Sequence, residues 1–349
     1  SDTTKITSLS FIFTKTMKNL KVGIDNYSLF PLELDPMETL TWAKEHGAKG
    51  VSFSGLNPKD QKKINRSYLT DLSKMAEEQE LYLEWGGGQH IPRDMGTWDR
   101  KDLFELNKKV AYEAGVLGTR IVRSCSGGLM RWSGKSPATE ILLNEMADTL
   151  KSQRQMLRDF NVILAIETHF EFTTFELLKL FEMCEAEPGD YLGICLDTMN
   201  LLTMLEDPIS AVERILPWVV STHIKDGAIL LTHDGIKTFP VEMGRGIVDI
   251  KKIINLIGSL DHNIHLSVED HGGEFFLPVF DPEFLSKFPD LTATEFVKLM
   301  KLAQYSEEKY SNGEISIVNR KEWPVMCEER ICKDINTLNE ILKTLNSPP

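Results

Sequence analysis

The stretch that decides the fold is VILAIETH, residues 162–169. Side chains alternate across a β-strand, so the even-numbered positions of this run present large apolar groups on one face. The odd-numbered positions carry small or apolar residues first and then Glu167 and His169. A strand that buries both faces and ends in charged groups is typical of a parallel sheet whose carboxyl edge carries a site.

Three later stretches repeat this pattern of an apolar strand that ends in charged residues: LGICLD (192–197), VVSTHIKD (219–226) and IHLSVED (264–270). In each, the larger apolar side chains are expected to meet surrounding helices, Val220 and Ile224 among them. The opposite face then brings Asp197, His223 and Glu269 to the carboxyl ends of consecutive strands.

Four earlier strands are predicted at residues 21–25, 50–54, 81–86 and 119–125, and stretches with helical spacing of apolar residues separate all eight. Strands that alternate with helices imply parallel pairing through right-handed crossovers. The sequence therefore predicts an α/β fold, a (β/α)8 barrel over residues 17–310. A doubly wound open sheet is the alternative, but no Gly-rich phosphate loop follows the first strand.

Two terminal segments lie outside the predicted barrel. Residues 1–16 are expected to be a dispensable, disordered tail, with a cleaved signal as the alternative, and the apolar run at 8–13 is too short for a membrane span. Residues 311–349 are predicted to form a C-terminal helical extension, with its helix near 328–345. We expect it to pack on the barrel or on a neighbouring subunit.

Composition narrows the classes of function. The formal net charge is −13 and no basic cluster stands out, which argues against nucleic acid as a partner. The five cysteines form no CxxC pair, and an odd number of scattered thiols indicates a reducing, cytoplasmic location. We expect a small-molecule ligand and no membrane association.

The polar groups at the strand ends predict a metal centre. Three carboxylates and an imidazole, Glu167, Asp197, His223 and Glu269, would repel and be poorly solvated without a cation. A set of oxygen and nitrogen ligands suits one divalent ion; manganese is expected, with magnesium, cobalt, zinc or iron as alternatives. Each residue could instead belong to a structural ion pair, but four at one level favour the metal.

At these residues the chain resembles the xylose-isomerase-like superfamily of sugar isomerases and epimerases. The resemblance covers about residues 20–305 and rests on IETH (166–169), CLDTMN (195–200), the HxKD motif at 223–226, and SVED (267–270). It implies that Glu167 and Glu269 bind the metal and also serve as acid and base. The metal would then stabilise an enediolate formed by proton abstraction next to a carbonyl.

Two positions depart from the ketose epimerases of that superfamily, which usually carry His where this chain has Asn200 and Arg where it has Ile229. Both departures favour an alternative reaction, a lyase that acts on a keto-sugar, such as an inosose-type dehydratase or a C-glycoside deglycosidase subunit. A non-catalytic structural or sugar-sensing subunit is the alternative of another class. A homo-oligomer, with or without a small accessory subunit, is the expected assembly.

Further candidates surround the metal ligands. His169 is a candidate catalytic acid, with a role in orienting a ligand as the alternative. Asp226 is expected to orient His223 or its loop, and Glu84 is expected to pair with Arg120 or Arg123 if it is structural. The candidate substrate-binding residues, each of which could instead be structural or solvated, are His90, Asn200, Lys225, His271 and Trp132.

Overall fold

The computed structural model describes residues 20–347, so the prediction for residues 1–16 lies outside the described part of the chain. Eight parallel strands close into a barrel, in which each strand pairs with its sequence neighbours and the last returns to the first. This confirms the predicted (β/α)8 fold. The barrel strands are β1 (Lys21–Asp25), β2 (Gly50–Phe53), β3 (Tyr82–Gly88), β4 (Ile121–Ser124), β5 (Ile163–Glu167), β6 (Leu192–Asp197), β7 (Val219–Ile224) and β10 (His265–Val268).

Helices surround the barrel and cover its apolar outer face. They are α1 (Pro36–Glu45), α2 (Pro58–Gln61), α3 (Arg66–Glu78), α4 (Phe104–Leu117), α5 (Thr139–Asp159), α6 (Thr174–Met183), α7 (Asn200–Thr203), α8 (Pro208–Ile215), α9 (Ile250–Gly258), α10 (Pro282–Leu285), α11 (Ala293–Ser311) and α12 (Trp323–Asn346). Short 3-10 helices occupy Asn26–Leu32, Met130–Trp132 and Leu216–Trp218. Among residues 20–347, no helix is both long and apolar enough to cross a membrane.

A small apolar cluster fills part of the barrel interior, and it corrects one predicted side-chain direction. Ile163, Ala165, Cys195 and Val220 pack together, apart from the main core. Val220 was predicted to face the helices. The pairing of β6 with β7 is irregular at this point, so the simple alternation of side chains breaks before Ser221.

A three-stranded antiparallel sheet, missed by the sequence analysis, stands beside the barrel. Its strands are β8 (Asp226–Leu231), β9 (Ile236–Val241) and β11 (Phe275–Leu277), with β9 in the centre. The stretch predicted as one strand over 219–226 therefore ends at Ile224, and a new strand starts at Asp226. Ile229, at the position where the ketose epimerases carry Arg, is fully buried within β8.

Asp226 fixes the turn that leads from this sheet into α9. Its carboxylate accepts backbone N–H groups from Gly227 (2.8 Å), Gly244 (3.0 Å), Gly246 (2.9 Å) and Val248 (3.2 Å). Asp226 therefore orients the 244–248 turn, and no hydrogen bond joins it to His223 among the described residues.

The C-terminal helix α12 begins at Trp323, five residues before the predicted start, and packs on β1, β10 and α9. Trp323 is fully buried, and its indole Nε1 donates to the Ser28 carbonyl oxygen at 3.0 Å. The Ser28 hydroxyl in turn accepts the Asp270 N–H at 3.1 Å, and Arg330 forms an ion pair with Asp270 at 2.9 Å. The helix thus holds the loops that follow β1 and β10.

Candidate metal centre and active site

Three of the four predicted metal ligands converge at the carboxyl end of the barrel. Parallel register places Asp197 of β6 beside His223 of β7, and Glu167 ends the neighbouring strand β5. Ligand atoms of Glu167, Asp197 and His223 lie within 4.8 Å of one another, and all three side chains are buried. The alternation of side chains in adjacent strands, read from the sequence, is what brings these groups together.

Two residues that the sequence analysis did not assign to the site complete its inner wall. Arg123 of β4, which is partly buried, forms an ion pair with the buried Glu167. Asp25, the last residue of β1, contacts His223 Nε2 at 3.2 Å, while His223 Nδ1 lies 3.2 Å from Glu167 Oε1. Burial would raise the pKa of Glu167, but Arg123 and His223 hold that pKa well below its usual value.

Glu269, the fourth predicted ligand, is joined to the cluster through Lys225. The Lys225 ammonium lies 3.0 Å from Asp197 Oδ2 and also forms an ion pair with Glu269. Despite burial, Lys225 and His271 lower the pKa of Glu269 to about 2, whereas burial raises the pKa of Asp197 to about 6. Although Lys225 is buried, the two carboxylates raise the pKa of its ammonium, so Glu269 and Lys225 are both charged at neutral pH.

The residues present fit a divalent cation. Asp197 Oδ2 and His223 Nε2 are buried and lack a well-directed hydrogen bond among the described residues, although Lys225 and Asp25 lie within ion-pair distance of them. Buried polar atoms are normally paired, so these atoms are candidates for coordination. Two carboxylates and one imidazole form a mixed oxygen and nitrogen set that accommodates manganese, zinc or iron.

A cavity of about 1130 Å³ opens above this cluster. Its wall includes Glu167 and Glu269 together with four predicted residues, His169, Asn200, Lys225 and His271. The Nδ1 atom of His169 is buried without a hydrogen-bond partner among residues 20–347. Burial lowers the pKa of both His169 and His271, which favours neutral imidazoles at the cavity wall.

Two predicted substrate-binding residues lie away from the cavity wall. His90 is fully buried, with ring nitrogens 2.9 Å from the Ser124 hydroxyl and 2.7 Å from Glu171. Trp132 donates from its indole to the Phe276 carbonyl oxygen at 2.9 Å and packs against the rings of Phe275 and Phe284. In the structure both residues make structural contacts outside the cavity wall, and their role in substrate binding stays a prediction.

Glu84 does not form the expected ion pair with Arg120 or Arg123. Arg123 pairs with Glu167, and Arg120 Nε donates to the Asn161 carbonyl oxygen, so neither arginine is the partner of Glu84. Burial raises the pKa of Glu84 to about 8, and its Oε1 atom has no hydrogen-bond partner among the described residues. Burial of Glu84 thus favours the protonated form of its carboxyl group.

Comparison with known proteins gives the family. Residues 40–287 match the xylose isomerase-like TIM barrel family. The chain belongs to this family. The match spans the strands that supply Glu167, Asp197, His223 and Glu269.

Two curated relatives match over about a third of this chain. One is the 3-oxo-isoapionate decarboxylase of Pectobacterium atrosepticum, 29% identical over 117 residues, which are 32% of this chain and 40% of the relative. The other is the uncharacterized protein YihM of Escherichia coli, 26% identical over 113 residues, or 32% of this chain and 34% of YihM. The matched region thus spans less than half of either relative.

Solved structures extend the likeness to the whole barrel. An L-ribulose 3-epimerase aligns with a TM-score of 0.54 and 19% identity, over 84% of this chain and 94% of the epimerase. The IolI protein with a bound zinc atom aligns with a TM-score of 0.54 and 16% identity, over 85% of this chain and all of IolI. At such identities, these alignments establish the shared fold.

Proposed function

We propose that this protein is a divalent-metal-dependent sugar isomerase or epimerase that removes a proton next to a carbonyl group. The observation that carries the proposal is the buried cluster of Glu167, Asp197 and His223. Its member Glu167 lines a large cavity, and the wall of that cavity also holds the charged pair of Glu269 and Lys225. Membership of a family whose structural neighbours include epimerases supports it.

Glu167, Asp197 and His223 would hold the metal, with Glu269 as the fourth candidate ligand and manganese as the expected ion. When bound, a divalent cation supplies positive charge to the carbonyl and hydroxyl oxygens of a substrate. Arg123 fixes the Glu167 carboxylate through its ion pair, so one ligand is oriented in advance.

Glu269 is the proposed base. It is ionised and lines the cavity, although a carboxylate with a pKa of about 2 is a weak base. Proton removal therefore depends on stabilising the negative charge that develops on the substrate oxygen, and the Lys225 ammonium beside Glu269 is placed to contribute. Glu167 and the neutral His169 are the proposed groups for returning a proton.

A lyase acting on a keto-sugar is the second candidate function. Asn200 lines the cavity where the ketose epimerases carry His, and Ile229 is buried where they carry Arg. The likeness to 3-oxo-isoapionate decarboxylase supports this candidate. Loss of carbon dioxide from a 3-keto acid leaves negative charge next to a carbonyl, as proton removal does, so the same residues would serve either outcome.

The test is solvent exchange. Manganese-loaded protein is incubated in D2O with a panel of ketoses, and deuterium at the carbon next to the carbonyl is followed by NMR. We expect exchange in the wild type, its loss in Glu269→Gln, and its retention in Glu274→Gln, a control in the same loop. Exchange that survives Glu269→Gln at the wild-type rate would contradict the assignment of the base.

The same samples separate the two candidates. Release of carbon dioxide, water or an aglycone from keto acids or 3-keto-glycosides, without an isomerised product, would favour the lyase. A folded protein that takes up no divalent ion would overturn both.

A further inference from the structure

Arg320 is a cavity-lining residue contributed by the C-terminal extension rather than by the barrel. It lies in the segment between α11 and α12 and lines the cavity together with His271 and Lys225. Among residues 20–347, its guanidinium has neither a hydrogen-bond partner nor an ion-pair partner, and it is exposed to solvent. It therefore offers a planar cation with its donors free.

The position of Arg320 is set by the loop that carries Glu269. The Gly273 N–H donates to the Val318 carbonyl oxygen at 2.8 Å, which ties the loop after β10 to the segment that precedes Arg320. Gly273 has a φ of +90°, and a Cβ atom there would come within 3.0 Å of Arg320 Nε and 3.2 Å of Arg320 Cγ. The arginine stem thus lies directly against this glycine, which limits the region its guanidinium can reach.

Three of the four other strong cations of the cavity wall are already neutralised. Arg123 is paired with Glu167, and Lys225 is paired with Asp197 and Glu269. Lys63 lies 2.8 Å from Asp60 and 3.4 Å from Asp35. Lys59, an exposed residue of α2, also has no ion-pair partner among the described residues. Unlike Arg320, it packs against no glycine of the described residues that would limit where its charged group can reach.

Arg320 also lies close to the proposed catalytic groups. It lines a second, smaller cavity together with His271 and Lys225. His271 Nε2 lies 3.6 Å from Glu269 Oε1. A ligand group held by Arg320 would therefore lie at the same end of the cavity as the proposed base.

We propose that the substrate carries an anionic group, a carboxylate or a phosphate, that is bound by Arg320 beside His271. This inference rests on the proposed function and specifies its substrate class. A guanidinium presents two parallel N–H donors that match the oxygens of a carboxylate or phosphate. In a chain with a net charge of −13 and a wall rich in carboxylates, an anion needs such a partner to enter.

The test compares ligands that differ only in the terminal group. Dissociation constants of D-fructose, D-fructuronate and D-fructose 6-phosphate are measured by calorimetry on the manganese-loaded full chain. We expect at least one anion to bind about tenfold more tightly than D-fructose. Arg320→Gln should reduce that preference to within about twofold, and Arg320→Lys should retain part of it.

Lys321→Gln is the matched control, since it removes the neighbouring cation, which lies outside the cavity wall. It should leave the preference unchanged. The anion whose preference is lost in Arg320→Gln identifies the group as carboxylate or phosphate. The absence of anion binding by the wild type, or a preference that survives Arg320→Gln, would overturn the proposal.

The binding and exchange experiments together distinguish a failure of the anion site from a failure of the proposed catalytic function. An anion preference that depends on Arg320, in a protein that shows neither solvent exchange nor release of a group, would retain the anion subsite and count against the catalytic role. Solvent exchange with neutral ketoses, without any preference for anions, would support the catalytic role and count against the anion subsite.

Discussion

The ion pair between Arg123 and Glu167 shows how single residues organise the site. Glu167 is buried and Arg123 is only 15% exposed, so removal of Arg123 leaves an uncompensated charge at a mostly buried position. We expect Arg123→Met to lower the free energy of unfolding of the metal-free protein by about 3–5 kcal/mol. Manganese should recover part of this loss, because a cation next to Glu167 also compensates its charge.

Urea unfolding of the wild type and of Arg123→Met, each with and without manganese, measures this effect. Arg120→Met removes an exposed arginine next to the same strand, and its free energy of unfolding should stay within about 0.5 kcal/mol of the wild type. Equal stability of Arg123→Met and the wild type without metal would contradict the importance of the pair.

His265 provides a pH-dependent contribution to stability away from the metal ligands. Its ring stacks on Tyr82 with centroids 3.8 Å apart, and burial, aided by Lys21, lowers its pKa from 6.5 to about 4. The unfolded chain therefore binds more protons between these values, so stability falls as the pH drops from about 6.5 to about 4. The loss is at most about 3.4 kcal/mol, since one unit of pKa corresponds to about 1.36 kcal/mol.

His265→Phe keeps a ring against Tyr82 and removes the titrating group. The midpoint of thermal unfolding should then depend less on pH between about 4 and 6.5 than in the wild type. His233→Gln, at a side chain that is 97% exposed, is the control and should leave the profile unchanged. Identical profiles for His265→Phe and the wild type would refute this contribution.

The sequence predicted some residues of the site and missed others for physical reasons. Glu167, Asp197 and His223 follow from alternation in adjacent strands, because parallel register brings strand ends together. Asp25 and Arg123 share that alternation and could have been found by applying it to the first four strands. His90 could not be placed, because its burial depends on Glu171 from a distant loop.

At the scale of elements, α12 stabilises the loop that carries the proposed base. Trp323 is buried and bonded to Ser28, and Ser28 contacts the backbone of Asp270, the residue after Glu269. Trp323→Ala should lower the free energy of unfolding by about 3–5 kcal/mol and also reduce solvent exchange of the substrate. Val325→Ala, in the first turn of the same helix, is the control, since Val325 is 90% exposed.

Circular dichroism during urea unfolding, together with the D2O assay, distinguishes the two effects. A Trp323→Ala protein with reduced stability but wild-type exchange in native conditions would mean that α12 supports the fold without positioning the loop. Unchanged stability would contradict the packing itself.

The antiparallel sheet beside the barrel depends on Asp226, which binds four backbone N–H groups. In Asp226→Asn, an amide NH2 would face some of those donors, and unpaired buried donors cost about 1–3 kcal/mol each. We therefore expect a loss of at least about 2 kcal/mol in the free energy of unfolding. Asp234→Asn, in the exposed turn between β8 and β9, should have no measurable effect.

The sequence predicted the barrel strands but not the strands of this antiparallel sheet. Strands of a parallel barrel are buried on both faces and appear as apolar runs, so all eight were predicted. β8 follows β7 after a single residue, whereas the sequence predicts one continuous strand over residues 219–226. The division depends on contacts between Asp226 and the distant 244–248 turn, which local patterns do not contain.

At the scale of the whole molecule, metal binding should be coupled to stability. A ligand that binds only the folded state adds about 2.7 kcal/mol at a concentration one hundred times its dissociation constant. For a chain of this size, the thermal midpoint should therefore rise by roughly 4 °C with manganese and fall again with EDTA. Because the proposed ligands Glu167, Asp197 and His223 come from three strands, the unfolded chain cannot reproduce the site.

Asp197→Asn tests this coupling, because it weakens one ligand and preserves the side-chain size. Its thermal midpoint should respond to manganese far less than that of the wild type, and calorimetry should show at least about tenfold weaker binding. Asp234→Asn, which changes the net charge equally at an exposed position, should retain the full response. If all three proteins gain the same stability from manganese, the ion acts through nonspecific binding and the proposed centre is wrong.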